Sequence, residues 1–301
     1  MVLGLKIDVC TYEGLRRGVP VLLRLLAARD LCASFFVALG PDTSGRAVFQ
    51  LFRPGFLAKM RRTRAIRTYG WRTALSGTLL PARHAGRGLA PTLREVVAAG
   101  HELAVHGYNH RRWQDRLPRM SLAGVREEIQ RAVAMYREVV GRDPRGFGAP
   151  GWQVSPESLE LLDEMGFQYG SDTRGLGPFF PCVAGRRLQT LQLPTSFPTL
   201  DEVIGVEAGG AESFITLVRA GLATRPWNVL TLHAEMEGVR FAGMAGRLLE
   251  AITADGARCL PLERLAAEVR TAGGLPVAEI VARPIRGRAG TVAMPAGLEV
   301  S

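Results

Sequence analysis

The 301-residue sequence lacks the features of an exported or membrane-spanning protein. No stretch approaches the run of about 20 uncharged apolar residues that a membrane-spanning helix needs, and Asp8 interrupts the N-terminal apolar run too early for a signal peptide. Its four cysteines are far apart and show no paired spacing: Cys10, Cys32, Cys182 and Cys259. We therefore expect thiols rather than disulfides, and a protein on the cytosolic side.

Charged residues make up only 22% of the chain, while hydrophobic residues make up 47%. A natively disordered chain could not carry that much apolar material, so we expect a globular protein with a sizeable core. Acidic residues are absent from one long stretch. Residues 43–94 contain eleven Lys and Arg but no Asp or Glu, and the rest of the chain holds 27 basic and 28 acidic residues. The formal net charge of +10 therefore comes from this stretch alone.

We interpret residues 43–90 as a basic amphipathic insertion, because large side chains such as Phe56, Tyr69 and Trp71 are interleaved with its arginines. Composition alone leaves three roles open: binding to anionic lipid, binding to nucleic-acid phosphates, or a solvated loop. An excursion of about 50 residues between two elements is uncommon without a function, which favours one of the two binding roles.

Short apolar strands alternate with helices along the chain. Seven segments have the composition of strands: 2–8, 33–40, 101–107, 167–172, 188–194, 228–233 and 258–262. Such alternation favours a parallel sheet with helical crossovers, and about 250 residues is the usual size of a closed (β/α) barrel. We predict an α/β fold with a single domain over residues 1–275. Residues 276–301, where the pattern weakens, we interpret as a tail.

Chemically capable side chains occur at the ends of the predicted strands: Asp8, His106, Asp172 and His233. The carboxyl ends of the strands in a parallel barrel meet at one face, so we expect these side chains to converge there. His106 and His110 are four residues apart, a spacing that lets two imidazoles bind one metal ion. Chance surface histidines are the alternative for that pair, and a core histidine bonded to a carbonyl is the alternative for His233.

Five short motifs, in this order, resemble those of the NodB-type polysaccharide deacetylase superfamily. They are Asp8-Val-Cys10, His106-x-x-x-His110, Gly148-Ala-Pro-Gly-Trp152, Ser171-Asp172 and Leu230-Thr-Leu-His233. Further runs, including DEVIG at 201–205 and LHAEMEG at 232–238, are similar to one branch, the ArnD-type deformylases. These act on 4-deoxy-4-formamido-L-arabinose linked to undecaprenyl phosphate. The resemblance covers most of residues 1–265 and implies a distorted (β/α)7 barrel.

The resemblance also implies roles for the motif residues. Asp8 would be the general base, and His233 the general acid, held in orientation by Asp172. His106 and His110 would bind a divalent metal, with Cys10 in place of the family's aspartate. The substrate-binding residues would be Arg174, Trp152 and Glu235.

Two positions depart from the family pattern. A thiolate is a sound zinc ligand, so a His/His/Cys site would favour zinc over harder metals, although Cys10 could instead be a small buried apolar residue. The superfamily has an arginine at position 148 that orients the base, and Gly148 cannot do so. Arg174, two residues after Asp172, is the substitute that we predict.

A member of this branch would release formate from the lipid-linked sugar at the cytoplasmic face of the inner membrane, for lipid A modification and polymyxin resistance. The polyprenyl substrate makes an anionic membrane surface the expected partner of the basic insertion, and we expect no nucleic acid and no obligate protein partner. Two alternatives stay open: a deacetylase of another N-acylated sugar, and a non-catalytic protein that binds the lipid-linked sugar.

Overall fold

A computed structural model describes residues 1–50, 70–204, 206 and 210–298. Its strands are β1 (Val2–Val9), β2 (Ser34–Val37), β3 (Glu102–Val105), β4 (Gly146–Phe147), β5 (Tyr169–Gly170), β6 (Phe180–Val183), β7 (Arg186–Arg187), β8 (Leu191–Gln192), β9 (Trp227–His233), β10 (Arg258–Leu260), β11 (Val277–Pro284) and β12 (Thr291–Pro295). Its α-helices are α1 (Val19–Ala27), α2 (Trp71–Leu75), α3 (Ala85–Gly88), α4 (Ala90–Ala98), α5 (His110–Arg116), α6 (Leu122–Val140), α7 (Pro156–Glu164), α8 (Leu200–Val203), α9 (Ala211–Leu222), α10 (Ala242–Ala254) and α11 (Leu262–Ala272). Within these described ranges, no helix is long and apolar enough to cross a membrane.

Strand β1 lies in the middle of the main sheet, and nearly all of its side chains are buried. Leu3, Leu5 and Ile7 belong to the large apolar core that the helices cover. Lys6 and Asp8 alternate with these residues and therefore point to the opposite face of the sheet. This strand thus places two charged side chains inside the barrel, where both are almost completely buried.

The main sheet runs in the order β9-β1-β2-β3-β4-β5-β8, and all of these neighbours are parallel. The short strand β10 pairs with the first residues of β1, on the edge that β2 occupies further along. At the other end of the order, the Ser196 N–H donates to the Val229 carbonyl over 2.9 Å, which joins the loop after β8 to β9. The predicted α/β fold, a distorted parallel barrel with helices, is confirmed.

The helices begin and end where the chain supplies the appropriate groups. The longest described helix, α6, begins after Ser121, whose side chain accepts from the Gly124 N–H, and it ends at Gly141 with φ of 79°. Its buried residues recur at helical spacing and pack on β3, with the Tyr136 hydroxyl donating to the Leu103 carbonyl over 2.9 Å. Helices of this kind hold the sheet from outside and leave the strand ends open.

Residues 276–301, interpreted from the sequence as a tail, contain the two strands β11 and β12. These form an antiparallel pair, and β11 also pairs in parallel with β6, so they extend a second sheet in the order β12-β11-β6-β7. The sheet is anchored to the barrel, because the Arg174 N–H donates to the Ala293 carbonyl over 2.8 Å and Val292 packs on Trp152. These strands were not predicted, because Gly, Pro and Arg interrupt the alternating pattern in residues 276–301.

The middle of the predicted basic insertion, residues 51–69, lies outside the described residues. Its two described ends are a 3-10 helix at Ser44–Gln50 and helix α2. They are joined where the Gly45 N–H donates to the Ser76 carbonyl over 2.9 Å. The insertion therefore leaves the barrel and returns to it at one place, just beyond the end of β2.

Candidate active site

The strand ends that carry the predicted catalytic side chains lie side by side. Asp8 on β1 and His233 on β9 are register partners, and the Ala234 N–H donates to the Asp8 carbonyl over 2.9 Å. On the other side, the His106 N–H donates to the Val37 carbonyl over 2.9 Å, which extends the ladder between β2 and β3. The convergence of Asp8, His106 and His233 on one rim of the barrel is therefore present in the structure.

Three potential metal ligands meet at this rim. The side-chain donor atoms of Cys10, His106 and His110 all lie within 4.8 Å of one another. Cys10 follows β1, His106 follows β3, and His110 is the first residue of α5. The start of that helix is fixed by Asn109, whose side-chain oxygen accepts from the Arg112 N–H over 2.9 Å. Two imidazoles and a thiol at this separation can hold one ion after small side-chain rotations, so the residues fit a zinc-type site.

The contacts of His106 fix which ring nitrogen can bind a metal. Its Nδ1–H donates to the Gly148 carbonyl over 2.7 Å, because a carbonyl oxygen can only accept. The Nε2 lone pair is therefore left for a metal, as in metal sites where a backbone carbonyl orients the histidine. Burial lowers the pKa of His106 to about 4. Burial, and then the neighbouring His106 ring, lowers the pKa of His110 well below its usual value. Both rings are neutral at neutral pH, which is the state that coordinates.

The pKa of the Cys10 thiol is shifted in the opposite direction. Burial, followed by the nearby Glu235 and Asp8 carboxylates, raises its pKa well above the usual value. The thiolate is therefore disfavoured unless a cation neutralises it. A divalent ion at this place would do so, since metal coordination deprotonates a thiol.

Asp8 lies beside a buried lysine that the sequence interpretation missed. Lys6 Nζ is 3.3 Å from Asp8 Oδ1, and both side chains are almost completely buried. Burial raises the pKa of Asp8, but the Lys6 ammonium and the His106 and His233 rings outweigh this and lower it. Asp8 is therefore an ionised carboxylate. Among the described residues its Oδ1 accepts no hydrogen bond of good geometry, so this oxygen can accept a proton.

His233 is held by its backbone and by an aromatic wall. Its N–H donates to Glu237 Oε2 over 2.9 Å, and the Trp152 ring meets its ring edge to face at a centroid distance of 6.3 Å. Within the described ranges, Nδ1 is buried without a hydrogen-bond partner. Burial lowers the pKa of His233, against the opposing effects of Asp201 and Asp8.

Comparisons with known proteins show the family to which this chain belongs. The polysaccharide deacetylase family model matches residues 2–170. A protein of Shewanella sediminis that carries the name 4-deoxy-4-formamido-L-arabinose-phosphoundecaprenol deformylase ArnD is 35% identical over 246 residues, which are 82% of this chain and 79% of that one. The chain belongs to the polysaccharide deacetylase family.

Two further matches show similarity in sequence and in fold. A Wigglesworthia glossinidia brevipalpis protein with the same ArnD name is 27% identical and covers 93% of this chain and 97% of its own length. A Mycobacterium smegmatis crystal structure described as a polysaccharide deacetylase superposes with a TM-score of 0.66 at 21% identity, and covers 94% of each chain. Members of this deacetylase family hydrolyse amide bonds, so this chain is a carbon–nitrogen hydrolase.

Asp172 is bonded to groups other than His233 in this member of the family. Its Oδ1 accepts from the Ala149 N–H over 2.8 Å, and its Oδ2 accepts from the Gln192 side-chain amide over 2.7 Å. Both oxygens are therefore occupied by groups other than His233. The carboxylate with the largest effect on the pKa of His233 is Asp201 instead. Among the described residues no hydrogen bond joins Asp172 to His233, and Asp172 fixes the loop after β4, so an orienting role for Asp172 stays a prediction.

Arg174 is likewise bonded to groups other than Asp8. Its Nη1 lies 2.8 Å and 3.0 Å from the two oxygens of Glu202, and its Nη2 donates to the Phe197 carbonyl over 2.7 Å. The guanidinium is thus committed to Glu202 and to backbone carbonyls, and within the described ranges it makes no ion pair with Asp8. It stacks instead on the Trp152 ring, with its Cζ 4.9 Å from the ring centroid.

Trp152 forms a wall, as expected, but only 3% of its surface is exposed. Its Nε1–H donates to Thr195 Oγ1 over 3.3 Å. The Arg288 guanidinium, from the turn between β11 and β12, also lies over the ring at 4.7 Å, and its Nη2 donates to the Gly151 carbonyl over 3.2 Å. The structure therefore gives Trp152 packing contacts behind His233, with little surface left for a substrate.

The Glu235 carboxylate lies against the loop that carries Cys10. Its Oε1 accepts three hydrogen bonds: from the Cys10 N–H and the Thr11 N–H, each at 2.8 Å, and from the Thr11 hydroxyl at 3.0 Å. The chain approaches it so closely that a Cβ on Gly14 would lie 2.2 Å from Oε1. Glu235 therefore holds the loop that carries Cys10, and its binding of substrate stays a prediction.

A small cleft, open to solvent, leads to the candidate metal ligands. Cys10 and His110 line its inner part. Residues 41–44, where the basic insertion begins, line it as well, together with Arg111. A substrate that reaches the candidate metal site through this cleft therefore passes the base of the insertion.

Proposed function

We propose that this hydrolase is a metal-dependent deformylase of 4-deoxy-4-formamido-L-arabinose linked to undecaprenyl phosphate. The observation that supports this most is the cluster of Cys10, His106 and His110 beside the Asp8 carboxylate, with His233 on the adjacent strand. The substrate follows from two relatives that carry the ArnD name and match over most of their length. The products would be formate and the lipid-linked 4-amino sugar.

The proposed reaction uses two side chains for proton transfer. A divalent ion held by Cys10, His106 and His110, most suitably zinc, would supply Lewis acidity for the formyl carbonyl and for water. Asp8 accepts a proton as water adds to the formyl carbon, and it is ionised beforehand because Lys6 lies against it. His233, in its imidazolium form, gives a proton to the sugar nitrogen as the carbon–nitrogen bond breaks and is left neutral, since an amide anion is too poor a leaving group to depart unprotonated.

The described ends of the basic insertion support a membrane-bound substrate. Leu79 is 81% exposed and Trp71 is 58% exposed, unusual values for large apolar side chains, and the Arg72 guanidinium lies 5.4 Å from the Trp71 ring centroid. Aromatic and basic residues together suit the interface of an anionic bilayer. We propose that this surface docks on the cytoplasmic face of the inner membrane, where the polyprenyl chain stays in the lipid while the sugar enters the cleft.

In a cell, the product would be the aminoarabinose donor for lipid A modification and would contribute to polymyxin resistance. This assignment rests on the deformylase activity and on the similarity to the ArnD proteins, and we propose no nucleic acid and no obligate protein partner.

The proposal is tested by incubating the purified protein with the formamido-arabinose lipid in vesicles and measuring formate together with the mass of the lipid product. We expect a loss of 28 mass units, roughly that of carbon monoxide, because formyl is replaced by hydrogen on nitrogen. His233→Ala should reduce the rate by about 10²–10⁴-fold, the usual contribution of a general acid, with an unchanged circular dichroism spectrum.

The N-acetyl analogue of the same lipid is the matched control. Faster release of acetate than of formate would show a deacetylase, and tight lipid binding without either product would show a non-catalytic binding protein. Either result would contradict the proposed deformylase.

A further inference from the structure

Lys6 is an unusual residue for the middle of a barrel strand. Its side chain is fully buried, whereas lysine is among the residues that are almost never fully buried unless they are paired. Its position two residues before Asp8 on β1 puts both side chains on the same inner face of the sheet. An ammonium group at such a place needs specific partners, because the loss of its hydration is costly.

The partners of Lys6 are a carboxylate, a carbonyl and two aromatic rings. Its Nζ is 3.3 Å from Asp8 Oδ1 and donates to the Ser171 carbonyl over 3.2 Å. The same atom lies 4.9 Å from the centroid of the Phe36 ring and 5.7 Å from that of the Trp152 ring. These contacts come from four different elements of the barrel, so the ammonium is held in one position from several sides.

The surroundings of position 148 explain why the positive charge next to Asp8 is carried by Lys6 on β1 and not by a side chain at 148. The family resemblance places a base-orienting arginine there, and this chain has Gly148. A Cβ at Gly148 would lie 2.7 Å from Phe36 Cδ1 and 3.4 Å from His106 Nδ1. The Phe36 ring therefore fills the space that a side chain at 148 would need, and the same ring supports the Lys6 ammonium.

We propose that Lys6 is the residue that positions the Asp8 base, in place of the family's arginine. It acts through Asp8. Its ammonium group, itself held by the Ser171 carbonyl, lies 3.3 Å from Asp8 Oδ1 and so fixes the position of that oxygen. The proposal rests on the proposed hydrolysis, because Asp8 needs positioning only if it accepts a proton there.

Three variants separate the charge of Lys6 from its packing. Lys6→Arg keeps the charge, Lys6→Gln keeps a donor for the Ser171 carbonyl, and Lys6→Met keeps only the apolar stem. We expect the Gln and Met variants to lose about 10²-fold or more in kcat, the scale of a general base, with KM and bound metal unchanged. Lys6→Arg should retain activity within about tenfold of the wild type, because it restores a cation next to Asp8.

Kinetics are measured with whichever N-acylated sugar lipid the wild-type protein hydrolyses. If the wild type hydrolyses the formamide and the Gln and Met variants keep its kcat, the Lys6 proposal fails while the deformylase stands. If the wild type hydrolyses only the acetamide, the deformylase fails and the same comparison of variants still decides the role of Lys6. A fall in activity that is matched by a fall in metal content would also overturn the proposal, since it would show a structural role.

A measurement without turnover is a double-mutant cycle of unfolding on the full-length purified protein. Lys6→Gln should lower the Tm in the wild-type background and lower it much less in the Asp8→Asn background, because the ion pair is then already absent. Arg174→Gln is the matched control, since it breaks a buried pair with Glu202 and should cost the same Tm in both backgrounds. Equal losses for Lys6→Gln in the two backgrounds would overturn the proposal even for a protein that shows no activity.

Discussion

Glu235 tests whether the loop after β9 serves the metal site or the sugar. Glu235→Ala would leave the Cys10 N–H and the Thr11 N–H without their acceptor in a buried place. An unsatisfied buried donor costs about 1–3 kcal/mol, so we expect a loss of about 2–6 kcal/mol in the free energy of unfolding. Because the Cys10 loop is then no longer held, zinc affinity should fall by about 10–100-fold, the usual effect of removing a group that supports a metal ligand.

Zinc affinity is measured by competition with a chromophoric chelator, and stability by urea unfolding. Glu235→Gln keeps an acceptor oxygen and should bind zinc close to the wild type. Glu237→Ala is the matched control, because Glu237 lies on the same loop but accepts from His233 rather than from the Cys10 loop. If Glu235→Ala bound zinc normally and only raised KM, Glu235 would be a sugar contact and the structural reasoning would be refuted.

Two further predictions concern the metal and pH. Cys10→Ala should lose bound metal, and Cys10→Asp should regain it with a preference shifted from zinc towards manganese. Bound metal is measured by elemental analysis after dialysis against zinc and manganese together. Full zinc content in Cys10→Ala would exclude the thiol as a ligand. Burial raises the pKa of Glu102 to about 7, above its unfolded value near 4.5, so its stabilising effect is present below pH 4.5 and is lost as pH rises through 7. The stability of Glu102→Gln relative to wild type should therefore increase by about 3 kcal/mol between pH 4.5 and 8.5 in urea unfolding, and a constant difference would show that Glu102 is ionised throughout.

The barrel and its active rim were predictable from the sequence because each strand ends in a recognisable side chain. Three apolar runs are followed by Asp8, His106 and His233. Parallel strands share one direction, which is enough to predict that these three residues meet at one rim. Strand β4 was missed because two residues cannot show an alternating pattern.

The supporting residues were less predictable, because their partners are distant in sequence. The side-chain amide of Gln192, on β8, occupies Asp172, and nothing near Asp172 in the chain indicates this. Lys6 could have been found: a lysine among leucines and isoleucine in a buried strand, two residues before a catalytic carboxylate, must share its face. Glu235 and Cys10 are 225 positions apart, so only the folded barrel shows their hydrogen bond.

The two departures from the family pattern are connected through the charge inside the barrel. The resemblance implies an aspartate at the position of Cys10 and an arginine at 148. Here a thiol replaces the first, and Lys6 carries the cation in place of the second. With a divalent ion bound and the thiol deprotonated, the sum of charges around Asp8 is the same in both arrangements, but the cation now comes from β1 itself. Removing the charge of Lys6 alone, or adding an arginine at position 148 alone, would leave a buried charge uncompensated, which costs several kcal/mol. Lys6 and Gly148 must therefore be changed together if the family's arrangement is to be restored in this chain.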